Sequence, residues 1–184
     1  MLHKFELTDA ISRLPEIQFE GRVFRVMAGN FDPTAPSGSG GRWAFPTSAD
    51  GGCSVLYTSR SRDGAIAEVA SYLALSTPRP SRPLYVHALE IATHKTLRLT
   101  IDDLKRLGVS EAEYGNRNYF VTQQIGAAVN FLGYDGLIVP SARWNCENVV
   151  LFTENHGFHH KLEKAEVEEI DWQAWAKANS LLED

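Results

Sequence analysis

Short apolar runs with strand-like patterning recur along the chain, and the helical segments between them do not alternate with them regularly. The predicted strands cover residues 20–27, 54–59, 84–91, 96–100, 136–141 and 147–153, with a weaker strand around His159–Leu162. Strands and helices mixed in this way are typical of α+β folds. At 184 residues, of which 43% are hydrophobic, the chain is long enough for one domain with its own core.

Helices and turns are predicted from periodicity and capping signals. The predicted helices cover residues 6–14, 63–75, 102–107 and 116–132, and a last one lies around Trp172 and Trp175. We expect Asp63 to be the N-cap of the second helix. We also expect residues 42–45 to begin a short strand and Thr93–Lys95 to form a turn between two paired strands.

A loop rich in glycine, proline and serine occupies residues 28–41. A loop of this length in a compact domain is often a lid or a binding loop. Its composition is equally compatible with a simple connection, so the sequence leaves both interpretations open.

Charge and cysteine content narrow the class of protein. The net charge of −5 argues against a nucleic-acid binder that works through a broad basic surface. Two cysteines give no disulfide framework and favour a reduced, cytoplasmic setting. The N-terminus lacks the apolar stretch of a signal peptide, and no apolar run is long enough to span a membrane. We therefore expect a cytoplasmic protein without membrane contact.

Arg42, Tyr57 and Glu68 supply three residue types that suit cleavage of a nicotinamide–ribose bond. The transition state of such a reaction resembles an oxocarbenium ion, which a nearby carboxylate stabilises. An aromatic ring gives the nicotinamide a surface for stacking, and an arginine binds phosphate oxygens bidentately. The spacing of the three residues does not establish that they converge, so the residue types alone only suggest this chemistry.

Glu68 and Arg25 also have purely structural interpretations. Glu68 lies on the opposite side of the helical wheel from the apolar stripe of its predicted helix, and the wheel alone favours a solvated glutamate there. Arg25 lies within an apolar strand. Its charge either reaches solvent along the aliphatic stem or enters a cleft, and both are compatible with the pattern.

A metal site is disfavoured by ligand spacing. The candidate ligands are His156, His159, His160, Glu154 and Cys146. Their spacing fits no standard zinc pattern, and neighbouring residues on a strand point to opposite faces. We therefore expect no metal.

A covalent nucleophile is disfavoured as well. Cys53 has no histidine nearby in the sequence, and Ser141 lies in a PSAR turn without the G-x-S-x-G elbow. The chain also lacks the glycine-rich motifs of Rossmann and P-loop proteins.

Six short motifs occur in series: FRV at 24–26, GRW at 41–43, VLYTS at 55–59, AIAEV at 65–69, GLIVPSAR at 136–143 and ENVVLF at 147–152. In this order they resemble the RES domain, a family named after its arginine, glutamate and serine. The motifs span roughly residues 20–153. The resemblance implies a single RES domain over residues 1–184, with a fold like that of diphtheria-type ADP-ribosyltransferases, in which central mixed or antiparallel sheets are flanked by helices.

The resemblance also implies a function. RES proteins are toxins of type II toxin–antitoxin pairs, and they deplete NAD⁺ by hydrolysis or phosphorolysis. The implied partners are NAD⁺ as substrate, inorganic phosphate as a co-substrate in the second case, and an Xre-like antitoxin, with DNA contacted only through that antitoxin. No cofactor is implied.

Motif by motif, the resemblance assigns a catalytic group of Arg42, Tyr57 and Glu68, and substrate-binding residues Arg25, Ser141 and Asn148. Two other functions stay open at the level of sequence. One is transfer of ADP-ribose to a macromolecule, and the other is a non-catalytic module that binds an antitoxin-like partner.

Overall fold

The computed structural model describes residues 4–29, 31–157 and 160–182. Its helices are α1 (Lys4–Ser12), α2 (Arg62–Leu73), α3 (Ile101–Arg106), α4 (Phe120–Phe131) and α5 (Trp172–Ala178), with a 3₁₀ turn at Glu111–Glu113. Its strands are β1 (Glu16–Ala28), β2 (Val55–Ser59), β3 (Leu84–Arg98), β4 (Gly136–Pro140), β5 (Glu147–Phe152) and β6 (Leu162–Ile170). The expected α+β class, with a mixed sheet flanked by helices, is confirmed.

The sheet has the strand order β1-β2-β5-β4-β3-β6, and β1 pairs with β3 as well. The first five strands therefore close into a ring. The β1–β2 pairing is confined to Phe24 and Ser59, whereas β1 and β3 pair along almost their whole length. The β3–β4 pair is parallel and the other pairs are antiparallel, which makes the sheet mixed.

Three buried clusters hold the helices on this sheet. One joins α1 and α4 to β4 and β5, through residues such as Ile11, Ile125, Val139 and Val150. A second joins α2 and α5 to β1 and β3, and its members include Val26, Ile66, Val86 and Trp172. The third lies between the strands and consists of Val23, Leu56, Leu89, Ile91, Ile138, Val149 and Leu151.

Strand β3 is continuous, so the predicted turn at Thr93–Lys95 is wrong. On one edge, residues 84–91 of β3 pair with β6 and residues 96–98 pair with β4. Between these two segments the amides of His94 and Lys95 donate to the carboxylate of Asp135, over 2.8 and 2.9 Å. Asp135 is only 2% exposed. A side chain therefore accepts the hydrogen bonds that a neighbouring strand would otherwise accept.

Residues 42–45 do not begin a strand. They form a tight turn closed by an isolated bridge between Gly41 and Ala44. Helix α4 approaches the turn so closely that a Cβ on Gly126 would collide with the carbonyl oxygen of Trp43. Packing against α4 thus sets the local backbone, and neighbouring residues in sequence carry no signal of it.

Helix boundaries differ from the predictions by a few residues. The N-cap of α2 is Ser61, whose hydroxyl accepts the Gly64 amide, and the predicted N-cap Asp63 lies inside the helix. Strand β6 is longer than the predicted weak strand, of which His159 lies outside the described residues. Across the described ranges, no helix combines the length and hydropathy needed to cross a bilayer.

We expect Asp135→Ala to destabilise the fold strongly. The substitution leaves two buried amides without an acceptor, at a cost of about 1–3 kcal/mol each. The measurement is urea denaturation followed by tryptophan fluorescence, and the midpoint should fall. Asp50→Ala, at an exposed turn, is the matched control and should leave the midpoint nearly unchanged. Equal midpoints for the two variants would contradict this account of β3.

Candidate active site

Glu68 lies in the middle of α2, and two side chains hold its carboxylate. The Ser141 hydroxyl and the Asn148 amide both donate to Oε1, each over 2.8 Å. Among the described residues, no donor contacts Oε2 and no cation forms an ion pair with Glu68. The solvated position that the helical wheel favours for Glu68 is therefore wrong, because the side chains of Ser141, next to β4, and Asn148, on β5, reach its carboxylate.

Ser141 and Asn148 reach Glu68 because they lie on either side of the loop between β4 and β5. Ser141 follows the last residue of β4, and its amide donates to the carbonyl of Cys146. The Ser141 hydroxyl also accepts the amides of Arg143 and Trp144, over 3.1 and 3.2 Å. Asn148 lies on β5, opposite Val139 of β4. The loop thus fixes the hydroxyl whose proton points to Glu68.

Arg42 is held at the 41–44 turn by backbone carbonyls and aromatic rings. Its guanidinium donates to the carbonyl of Tyr114 over 2.6 Å and to that of Asn116 over 3.3 Å. Its centre lies 5.0 Å from the Tyr114 ring and 4.6 Å from the Tyr119 ring. Arg42 also lines a cavity of about 180 Å³. Two carbonyls leave three of its five N–H donors for other acceptors.

Tyr57 packs beside the same turn. Its phenol oxygen accepts the amide of Trp43 over 3.1 Å. A Cβ on Gly41 would lie 2.7 Å from that oxygen, so the close approach requires glycine at this position. Burial raises the pKa of Tyr57 above its ordinary value, and the phenol is neutral near pH 7.

Tyr114 links the Arg42 side of the site to the Glu68 side. Its hydroxyl donates to the carbonyl of Pro140 over 2.7 Å, next to Ser141. Burial raises the pKa of Tyr114, Arg42 lowers it, and Glu68 raises it. Both charged side chains are therefore near this phenol. Sequence reasoning missed Tyr114; the only local signal is the Gly- and Asn-containing segment at 113–120, where a loop carries two tyrosines.

Arg25 is not brought to the Glu68 cluster. Its guanidinium donates to the carbonyls of Pro33 and Ala35, over 2.9 and 2.7 Å. Its neighbours Phe24 and Val26 pack towards α2, so Arg25 projects from the other face of β1. Burial lowers the pKa of Arg25. The structure thus gives Arg25 a role in fixing the 28–41 loop, and its role as a substrate contact stays a prediction.

The two cysteines have surroundings that disfavour thiolates. Cys53 is buried, and burial raises the pKa of its thiol to about 11. Burial likewise raises the pKa of Cys146, whose sulfur lies 3.4 Å from the Ser59 hydroxyl. Over residues 4–29, 31–157 and 160–182, no three His, Cys, Asp or Glu side chains are grouped so that they could hold a metal ion.

A family model for the RES domain matches residues 20–173, which is most of the chain. The chain belongs to the RES-domain family. The matched segment includes the site residues from Arg42 through Tyr114 to Asn148, and it continues through β6. The RES membership that the six motifs predict is therefore confirmed.

The RES chain is also similar to a solved structure, titled as the crystal structure of the M. tuberculosis MbcT–MbcA toxin–antitoxin complex. The TM-score is 0.79 at 17% sequence identity, and the match covers 95% of this chain and 97% of that chain. Likeness at this identity shows a shared fold over nearly the whole length. Among curated proteins, no sequence matches.

We expect stability to fall above about pH 10, because the unfolded chain then releases tyrosine protons that the native chain keeps on Tyr57 and Tyr114. At about pH 10.5, one such tyrosine accounts for a loss of about 0.8 kcal/mol. The measurement is the change in unfolding free energy between about pH 8 and about pH 10.5. Tyr114→Phe should show a smaller change than the wild type. Tyr72→Phe, at a 64% exposed position, should change like the wild type. Equal pH dependence of all three proteins would contradict the burial of the Tyr114 phenol.

Proposed function

We propose that this protein cleaves the nicotinamide–ribose bond of NAD⁺, by hydrolysis or phosphorolysis, and acts as the toxin of a toxin–antitoxin pair. The observation that carries the proposal is the geometry of Glu68. One carboxylate oxygen is fixed by Ser141 and Asn148, and the other has no donor among the described residues. A carboxylate held in this way is oriented before a substrate arrives, and one oxygen stays available to it.

Glu68 would stabilise the transition state. As the bond between the ribose and the nicotinamide nitrogen breaks, the bonding electrons leave with the nicotinamide, which becomes neutral. Positive charge then develops on the ribose ring, as in glycoside hydrolysis. The free oxygen of Glu68 would accept a ribose hydroxyl, and its negative charge would stabilise the developing cation. No counter-ion among the described residues weakens that charge.

Arg42 and Tyr57 would orient the substrate. The remaining guanidinium donors of Arg42 can bind ribose or phosphate oxygens, and two carbonyls and two rings already fix the group. The neutral ring of Tyr57 can stack on nicotinamide. Ser141 and Asn148 would act through Glu68, by holding its carboxylate in one orientation.

The reaction is completed by attack on the anomeric carbon. Water gives ADP-ribose and releases one proton. Inorganic phosphate gives ADP-ribose 1″-phosphate instead. The raised pKa of Cys53 and the two backbone amides that the Ser141 oxygen accepts disfavour both side chains as nucleophiles, which supports direct attack.

A toxin role is supported by RES membership and by the fold shared with a chain from a toxin–antitoxin complex. The proposed partner is an Xre-like antitoxin, which would provide the only contact with DNA. We propose that it blocks the cleft in the cytoplasm, over the 28–41 loop. Residues 33–37 of that loop are held in place, because Arg25 donates to the carbonyls of Pro33 and Ala35, and Ser37 pairs with Val55.

We expect Glu68→Gln to lower the rate of nicotinamide release from NAD⁺ by about 10²–10³-fold, because it removes the charge but keeps an acceptor for Ser141 and Asn148. Release is followed by chromatography with and without inorganic phosphate. Glu163→Gln, at an exposed position of β6, is the matched control and should act like the wild type. If the wild type releases no nicotinamide under either condition at high enzyme concentration, the proposed reaction is wrong.

The products separate the remaining alternatives. ADP-ribose indicates hydrolysis and ADP-ribose 1″-phosphate indicates phosphorolysis. NAD⁺ labelled in the adenine ring would leave its label on a protein or nucleic acid if the enzyme is a transferase. Label found only in small molecules rejects that alternative.

We expect the wild-type protein to slow bacterial growth and lower cellular NAD⁺ when it is expressed from an inducible promoter. Glu68→Gln should do neither, since its catalytic charge is absent. Co-expression of an Xre-like protein encoded beside it should restore growth. If Glu68→Gln slows growth as much as the wild type, the protein acts instead as a non-catalytic interaction module.

A further inference from the structure

Arg143 is a half-buried arginine beside the Glu68 cluster. Its amide donates to the Ser141 hydroxyl over 3.1 Å, and that hydroxyl lies 2.8 Å from Oε1 of Glu68. Arg143 is part of the fixed loop between β4 and β5 and is partly withdrawn from solvent. Its backbone is therefore attached directly to the group that orients the proposed catalytic carboxylate.

The Arg143 guanidinium is not neutralised by any of the residues that the structure describes. Within the described residues it has no ion pair, hydrogen bond or ring contact. The other arginines near the cleft are engaged. Arg42 and Arg25 donate to backbone carbonyls, and Arg60 and Arg98 pair with Glu147.

Arg79 and Arg82 also have no partner in the part of the chain that the structure describes, and both are exposed on the proline-rich connector before β3. Both side chains are exposed to water, so they need no counter-ion. Withdrawing a charge from water without a partner costs free energy, and such a group is usually paired in the functional state. A half-buried arginine whose side chain has no partner among the described residues keeps its donors available for an anion supplied from outside.

We infer that Arg143 binds phosphate oxygens of the reactants. This inference rests on the proposed function, because a dinucleotide is the anion that must come close to Glu68. The planar guanidinium presents two parallel N–H donors that match two phosphate oxygens. Arg143 lies two residues after Ser141, and its amide is bound to the hydroxyl that holds Glu68, so we expect its guanidinium to bind a phosphate while Glu68 contacts the ribose. The same chemistry would suit inorganic phosphate, and the two sources are separated by experiment.

The test compares the wild type with Arg143→Gln, Arg143→Lys and the exposed control Arg82→Gln. A bidentate charged contact is worth about 10- to 100-fold in affinity. For Arg143→Gln, the KM for NAD⁺ should rise by this factor while kcat changes little. Arg143→Lys should bind NAD⁺ more tightly than Arg143→Gln but less tightly than the wild type, because lysine keeps the charge and lacks the two parallel N–H donors. Arg82→Gln should match the wild type.

Binding by calorimetry makes the inference independent of turnover. ADP carries the two phosphates without the scissile bond, and inorganic phosphate carries neither adenosine nor ribose. Weaker ADP binding by Arg143→Gln assigns the contact to the dinucleotide. Weaker binding of inorganic phosphate alone assigns it to the co-substrate.

Two outcomes overturn the inference: no ADP or phosphate binding by the wild type, or equal binding of both by wild type and Arg143→Gln with matching circular dichroism. A wild type that binds ADP but releases no nicotinamide contradicts the proposed reaction instead. The failures of the two proposals are thus distinguishable.

Discussion

The buried carboxylate of Asp135 is the constraint on which the rest of the structure depends. It accepts two amides of β3 at the point where that strand changes partner from β6 to β4. The backbone of Asp135 adds two bonds, from its amide to the Lys95 carbonyl and to its carbonyl from the Phe152 amide. One residue therefore sets the position of β4 and β5 against β3. Ser141 and Asn148 reach α2 only because those two strands lie there.

The elements of the fold were largely predictable from local pattern, but their connections were not. Helix α4 has a clear apolar period that closes at Gly133, which adopts a positive φ of 76°. Strand β3 was predicted as two short strands with a turn between them. The side chain that completes its hydrogen bonds, Asp135, lies about 40 residues later, so the local sequence does not reveal that the strand is continuous. Similarly, the turn at Arg42 depends on contact with Gly126 of α4. Hydrogen bonds and contacts distant in sequence leave no periodic signal.

In the site, too, some features were predictable from the sequence and others depend on contacts between distant residues. Residue type and family resemblance singled out Glu68, Ser141 and Asn148, and these three are in direct contact. The helical wheel gave the wrong environment for Glu68, because α2 contacts protein on more than its apolar stripe. Tyr114 was missed because a single tyrosine in a loop resembles any other. Only the structure shows that its carbonyl accepts a hydrogen bond from Arg42 and that its hydroxyl donates to the carbonyl of Pro140.

The distribution of charge in the cleft follows from which groups are already engaged. The buried phenol of Tyr57 stays neutral near pH 7. Arg42 donates to two backbone carbonyls and lies over two tyrosine rings, and it forms no ion pair with a carboxylate of the described residues. Glu68 itself has no ion-pair partner among the described residues. A fixed charge at low dielectric acts most strongly on the species of opposite sign. In the proposed reaction, positive charge moves from the nicotinamide ring to the ribose. If Glu68 contacts the ribose, its charge would therefore favour the transition state over the bound substrate.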